Sequence, residues 1–315
     1  MFNDFEINKI RIKQTDNNLL TLEEKILGEY KDGVFVFAKS ENYADDFGLQ
    51  WENFPKTQFD SFSGKNISKA RMEEALQSDL SELRDKKVLE IGSGSGRFTE
   101  ILAQSGAYVD TLDLSKAIFV NQRNNSKFSN KIRFIQSDFL KVPLPKDEYD
   151  YVLALGVVQH TPDSYQTINE MISYSKKGGK VIFDHYIKGL FEGNNRRLTA
   201  RLLRKIILKL NQKEKLSTIK LIYNLFYPLH KFFGFSNFLS KVLRTFSPIM
   251  THHGSLDLTD DQFYEWGLLD THDNLTDFYS HKISFREMRD FLNNHDIDSS
   301  SVFKGTNGIN VLIKK

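Results

Sequence analysis

The sequence predicts an α/β fold: a doubly wound, mostly parallel seven-stranded sheet with helices on both faces. Three observations carry this. Between Lys87 and Tyr186, short apolar runs of strand character alternate with segments of helical period. Glycines punctuate the joints between them. The alternation lapses over 187–283 and resumes at Ser284, where two further strands complete the count.

KVLEI at 87–91 is a short apolar run closed by glycines, which suits a buried strand. The helix after it sets Phe98, Ile101 and Leu102 at i, i+3, i+4 and stops at Gly106. YVDTLD at 108–113, KIRFIQSD at 131–138 and YDYVLALG at 149–156 read as strands two to four. Asp163 to Ser175 reads as a helix with Tyr165, Ile168 and Ile172 on one side. Gly178-Gly179 breaks it, and KVIFDHY at 180–186 is the fifth strand. Ser284-Phe285-Arg286-Glu287 has capping-box spacing, and Phe285, Met288 and Leu292 continue the helix. The last strands fall at Ser300–Lys304 and Ile309–Lys314, with Asn307-Gly308 as the hairpin turn.

The division expected is 1–75 as an N-terminal extension and lid, 76–186 with 284–315 as the core, and 187–283 as a helical, basic cap. Residues 1–40 suggest short strands, and Tyr43, Phe47, Trp51, Phe54, Phe59 and Phe62 crowd the next stretch. Residues 66–84 read as a helix burying Met72, Leu76, Leu80 and Leu83. In the cap, Leu198, Leu202, Leu203, Ile206, Ile207 and Leu210 form an apolar stripe, with Arg197, Arg201, Arg204, Lys205 and Lys209 largely on other faces. Residues 250–283 read as acidic and irregular.

Composition narrows the function classes. At 315 residues, 40% hydrophobic and 27% charged, the chain is neither disordered nor fibrous. It has no cysteine, which excludes disulfides, thiolate zinc sites, iron–sulfur clusters and cysteine nucleophiles. No apolar run reaches the ~18 residues of a membrane span, and MFNDFEINKIRIK has no signal pattern. The cytoplasm is the expected location, with peripheral contact at the inner membrane face. Net charge is +2, yet residues 186–250 hold 13 Lys/Arg against 2 acids, a local +11. Such a surface suits water, an anionic lipid or a lipid-linked sugar phosphate. No nucleic-acid recognition motif accompanies it, so nucleic acid is not expected.

The most informative stretch is VLEIGSGSGRFT, 88–99. The dinucleotide fingerprint wants its third glycine at the sixth position. Here glycines stand first, third and fifth, and Arg97 is sixth. Glu90 precedes the first glycine by two residues, where a pyrophosphate would gain nothing from an anion but a ligand with an ammonium and a sulfonium would.

This stretch resembles the first motif of class I S-adenosylmethionine-dependent methyltransferases. The resemblance implies a Rossmann-like core and S-adenosylmethionine as cofactor. It matches Asp113 to the acid that holds the ribose hydroxyls, and Asp138, with Phe139, to the adenine contacts. LGVVQHTPD at 155–163 is similar to the segment lining the methyl end. Cofactor contacts are thus expected at Glu90, Gly92, Ser93, Gly94, Gly96, Asp113, Leu114, Asp138, Phe139, Gly156 and Val157. Residues 43–71 and 257–279 also resemble flanking segments of a bacterial subgroup associated with surface polysaccharide or glycan assembly. Many members of that subgroup open with a cysteine zinc ribbon, which this chain lacks.

Methyl transfer is an in-line displacement whose main demand is alignment. A hydroxyl acceptor also needs a base. His160 after strand four is the first candidate, Asp184 and His185 on strand five the second, and Asp270, His272 and Asp273 in the cap the third. Each also has a plain reading as a satisfied structural residue. Trp51 could close over a sulfonium, and Arg71 could reach a carboxylate. His252, His253, His272 and nearby Asp residues match no ligand spacing, so no metal is expected. The function expected is O-methylation of a small-molecule or glycan-type acceptor. A cofactor-binding module without turnover stays open, as does an RNA or protein methyltransferase. The Asn-Pro-Pro-Tyr type tetrapeptide of amino-methylating nucleic-acid enzymes is missing, since this chain has GVVQ at 156–159.

Overall fold

The computed structural model describes residues 5–7, 10–14, 19–22, 25–38, 42–188, 198–233, 237–252 and 258–315. Five strands come first: β1 (Phe5–Ile7), β2 (Ile10–Gln14), β3 (Leu19–Leu22), β4 (Lys25–Lys31) and β5 (Val34–Val36). Helices α1 (Asp45–Asn53), α2 (Asp60–Ser63) and α3 (Ile67–Leu76) follow. The alternating part is β6 (Lys87–Ile91), α4 (Arg97–Gln104), β7 (Tyr108–Asp113), α5 (Ala117–Asn125), β8 (Ile132–Gln136), β9 (Tyr149–Ala154), α6 (Ser164–Tyr174) and β10 (Ser175–His185). Helices α7 (Leu198–Ile207), α8 (Gln212–Phe233), α9 (Asn237–Phe246) and α10 (Asp260–Thr276) come next, then α11 (Phe285–Leu292), β11 (Ser299–Gly305) and β12 (Gly308–Lys314).

β8, β7, β6, β9 and β10 lie side by side in parallel. β12 pairs antiparallel with β10, and β11 with β12. These are the seven expected strands. Among the described residues the sheet runs further, to twelve strands, because β5 pairs in parallel with β8 and β1–β4 continue from it as an antiparallel meander.

Successive residues of each central strand face opposite sides. Leu89, Val152 and Val181 pack toward α6 and α11, meeting Ile168, Met171, Met288 and Leu292. Val88, Leu153 and Ile182 pack toward α3–α5, meeting Met72, Leu76, Leu102 and Ile118. Burial on both faces is why these strands read as unbroken apolar runs. A third cluster joins cap to lid: Phe54 packs with Ile207, Ile219, Tyr223, Leu268 and Leu269. Lys215 of α8 and Asp46 of α1 pair at 2.5 Å across the same contact.

Four expectations are corrected. Residues 260–276 are a helix, started by a capping box between Thr259 and Gln262. α3 ends at Leu76, where Gln77 takes a left-handed conformation, so Leu80 falls in a separate 3-10 turn. Tyr165 is exposed while Ile168 and Ile172 are buried. The α7 stripe splits: Ile207 faces in, but Leu202 and Ile206 are 55% and 61% exposed. Arg197 and His253 lie outside the described residues. No helix among those residues is long and apolar enough to cross a membrane.

Candidate functional site

The carboxyl ends of parallel strands are where such sheets leave a crevice. Here the crevice is a cavity of about 820 Å³, roofed by α1–α3 and α10. Its floor is the loop between β6 and α4, whose Gly92, Ser93 and Gly94 all reach the wall. At Gly94 (φ +55°) an added Cβ would sit 2.8 Å from the Trp51 indole nitrogen, so glycine is what lets the lid close on the loop. At Gly96 (φ +97°) an added Cβ would sit 2.1 Å from the Asn121 amide oxygen. Gly96 therefore packs against α5 behind the loop, and it is not on the wall as expected.

Asp113 ends β7 and lines the cavity. One carboxylate oxygen accepts the Gly94 N–H at 2.8 Å, and the other accepts the Ser115 N–H at 2.8 Å and its hydroxyl at 2.7 Å. Burial raises its pKa against the pull of those bonds. Leu114, Gly156 and Val157 share the wall with it. Besides Gly96, three expected contacts lie off it. Glu90 is buried behind the loop, where one oxygen accepts the Thr99 and Thr111 hydroxyls and the other has no partner among the described residues. Burial pushes its carboxyl up to about 7. Asp138 pairs with Lys141 at 3.0 Å instead. Phe139 belongs to the core, 5.4 Å from the Tyr174 ring.

The candidate bases separate. His160 lines the cavity, but both ring nitrogens are engaged, Nδ1 with the Tyr279 carbonyl at 2.9 Å and Nε2 with the Tyr186 hydroxyl at 3.2 Å. Asp184 lies fully buried behind the wall, ion-paired to Arg71 and accepting the Gly156 N–H at 2.6 Å. His185 is buried too, bridging the Tyr186 carbonyl and the Ser164 hydroxyl. His272 faces the lid rather than the cavity, with Nδ1 2.9 Å from the Gln50 side-chain oxygen, and burial lowers its pKa to about 4. Asp270 and Asp273 do line the cavity, from one side of α10. Asp270 pairs at 2.5 Å with His252, also on the wall, and its other oxygen accepts from Gln58. Burial raises the Asp273 pKa.

Sequence reasoning missed Tyr186 as a wall residue and the His252–Asp270 pairing. It also read Arg97 only as a departure from a glycine fingerprint. The last could have been found, since a residue opening a helix directly after a ligand-facing loop stands beside the ligand. Among the described residues no three His, Asp or Glu side chains gather as a metal site.

The arrangement fits S-adenosylmethionine. A buried carboxylate at a strand end suits ribose hydroxyls, and a glycine floor admits close backbone approach. Tyr43, Phe47 and Trp51 put aromatic faces where a sulfonium gains from them.

Residues 89–183 match a family model described as a methyltransferase domain. Over 105 residues the chain is 34% identical to a malonyl-[acyl-carrier protein] O-methyltransferase of Paenibacillus sp., covering 31% of this chain and 38% of that protein. Over 103 residues it is 32% identical to a ubiquinone biosynthesis O-methyltransferase of Nitrosospira multiformis, covering 32% and 43%. The chain thus spans about two fifths of the curated relatives it matches. A SAM-dependent methyltransferase structure from Aquifex aeolicus aligns over 77% of this chain and 87% of its own, at 10% identity and TM-score 0.40.

Proposed function

We infer that the whole chain, whose residues 89–183 are a class I S-adenosylmethionine-dependent methyltransferase domain, methylates a hydroxyl oxygen of a small-molecule or glycan-type acceptor. One observation carries this reading: a single cavity joins the Gly94–Asp113 end to the His252–Asp270 end. The matched relatives named above are O-methyltransferases, which supports oxygen as the target. When bound, the cofactor supplies an electrophilic methyl with a good leaving group. The chain's own residues then do the rest. Asp113 and the loop amides hold the nucleoside end. Tyr43, Phe47 and Trp51 close the wall and exclude water. His252, paired with Asp270, is the residue that takes the acceptor proton in this reading. His160 braces the Val157 turn against Tyr186 and Tyr279 rather than serving as base.

The test is a screen of hydroxylated acceptors, glycans included, with methyl-labelled cofactor. Label appearing as an acid-stable methyl ether supports the reading. Label found only on amines, RNA or protein would overturn it.

We infer further that the cap rests on an anionic membrane, which would suit a lipid-linked acceptor. Supporting this, Leu202, Ile206, Leu221, Leu225 and Phe232 are exposed, with exposed Lys205, Lys209 and Lys220 beside them. Arg204, expected on this surface, instead turns inward to the Asp277 carboxylate and the Asn274 carbonyl.

A further inference from the structure

Among the described residues, two guanidinium groups and no lysine line the cavity. They are not equivalent. Arg71 is neutralised by Asp184 and stands 3.5 Å from the position a Gly156 Cβ would take, near the cofactor-facing turn. The Arg97 side chain has no hydrogen bond or ion pair with any described residue, and its guanidinium lies 4.5 Å from the centre of the Phe98 ring. Among the carboxylates around it, Asp273 makes no ion pair with any described residue, and the others are committed elsewhere. Asp184 holds Arg71, Asp270 holds His252 and Gln58, and Asp60 accepts the backbone N–H groups of Ser68 and Lys69. Arg97 is half-buried, and a cation partly withdrawn from water without a counter-ion gains from an anion beside it. Burial, with Arg71 nearby, lowers the Arg97 pKa to about 9.

The charge around Arg97 also tells which end of the cavity it serves. The acids that act on it include Asp270 and Asp273, both on α10 and on the cavity wall, together with Asp184 and Asp60. Arg97 therefore shares its stretch of the wall with the α10 acids, at the end where His252 and Asp270 stand.

We propose that Arg97 is an anion subsite for the acceptor, receiving a carboxylate or phosphate borne by the molecule that is methylated; this rests on the methyl transfer proposed above. The planar guanidinium fork matches two oxygens of such a group. The acceptor class is then a hydroxy acid or a phosphorylated hydroxyl compound, with its anion near the hydroxyl that His252 faces.

The experiment needs no turnover. Trp51 and Trp266 are the chain's two tryptophans, and both line the cavity, so indole fluorescence reports on it. Inorganic phosphate is titrated into protein saturated with S-adenosylhomocysteine, and into cofactor-free protein. The parent should show a saturable change. Arg97→Gln should weaken phosphate roughly tenfold or more, and Arg97→Lys should recover part of it, since a point charge remains. Affinity for S-adenosylhomocysteine should stay within about twofold of the parent in both. No saturable response in the parent, or equal responses in parent and Arg97→Gln, overturns the subsite. A loss of S-adenosylhomocysteine affinity in Arg97→Gln also overturns it, by placing the guanidinium on the cofactor's own carboxylate. If the parent fails to bind S-adenosylhomocysteine, the methyl-transfer reading falls, and the cofactor-free titration still decides whether Arg97 binds an anion.

Discussion

The carboxylate of Asp113 accepts the backbone N–H of Gly94 at 2.8 Å, tying the end of one strand to the loop that leaves its neighbour. The bond fixes the loop while leaving the carboxylate on the cavity wall. Asp113→Ala should therefore lose the loop anchor and, with it, the ribose contact proposed for this carboxylate. Affinity for S-adenosylhomocysteine should fall by about 1.5–3 kcal/mol in a calorimetric titration, the range for hydrogen bonds to a charged group. Unchanged affinity would remove Asp113 from the cofactor site.

The two wall histidines should respond differently. His252→Asn should lower kcat about a hundredfold, the lower range for loss of a general base, with cofactor affinity preserved. His160→Asn removes the link to Tyr186 and the ring that packs 5.5 Å from Phe47, so it should lower thermal stability and loosen the cofactor end. A His160 variant that loses turnover alone, beside an active His252 variant, would reverse the assignment.

Glu90 makes stability depend on pH. Its carboxyl titrates near 7 in the folded chain, against an ordinary value of 4.5. A raised folded pKa favours the fold where the group is protonated. The contribution of Glu90 to stability should thus be greatest below about 4.5, fall as pH rises from there to about 7, and then level off. The full span is on the order of 3 kcal/mol. Glu90→Gln keeps the shape without the charge, so melting temperatures of parent and variant should diverge as pH rises across that window. Parallel curves would show that Glu90 stays ionised in the fold.

Why some of this was legible and some not follows from how each element is buried. β6, β9 and β10 bury both faces, and such strands announce themselves as apolar runs. α10 hides because it is enclosed on several sides: Trp266, Leu268, Leu269, His272 and Leu275 are all buried, so no single stripe marks a helix. Asp270 and Asp273, which read as part of an acidic, irregular stretch, stand instead on this helix and line the cavity. β5 joins β8 through pairs such as Phe35–Ile135, a contact across a hundred positions that no local pattern encodes. The glycine loop and Asp113 were readable because their spacing is local to one strand–turn–helix unit. His252 meeting Asp270 depends on how the cap folds back, and neither residue carries that signal alone.

The cap offers the last test. In α7 and the turn after it, Leu202, Lys205, Ile206 and Lys209 fall at i, i+3, i+4 and i+7, so exposed apolar and cationic side chains share one face. In α8, Leu221 and Leu225 stand one turn apart beside Lys220 and are 71% and 69% exposed. Leucines this open on a water-facing helix lose the burial that would favour them, whereas at a bilayer surface the leucines enter the acyl boundary and the lysines meet lipid phosphates. Three lysines near an anionic surface contribute about 3 kcal/mol, at roughly 1 kcal/mol each. That attraction should fade as the Debye length shrinks from about 10 Å at 0.1 M salt to about 3 Å at 1 M. The apolar part should not fade with it. Parent protein should therefore co-sediment with anionic vesicles at low salt, and only weakly with neutral ones. A Lys205→Ala, Lys209→Ala, Lys220→Ala variant should lose the salt-sensitive part. A Leu221→Ser, Leu225→Ser variant should lose the part that survives high salt. If the parent stays in the supernatant with anionic vesicles at low salt, the membrane reading fails, and the exposed leucines belong to some other contact.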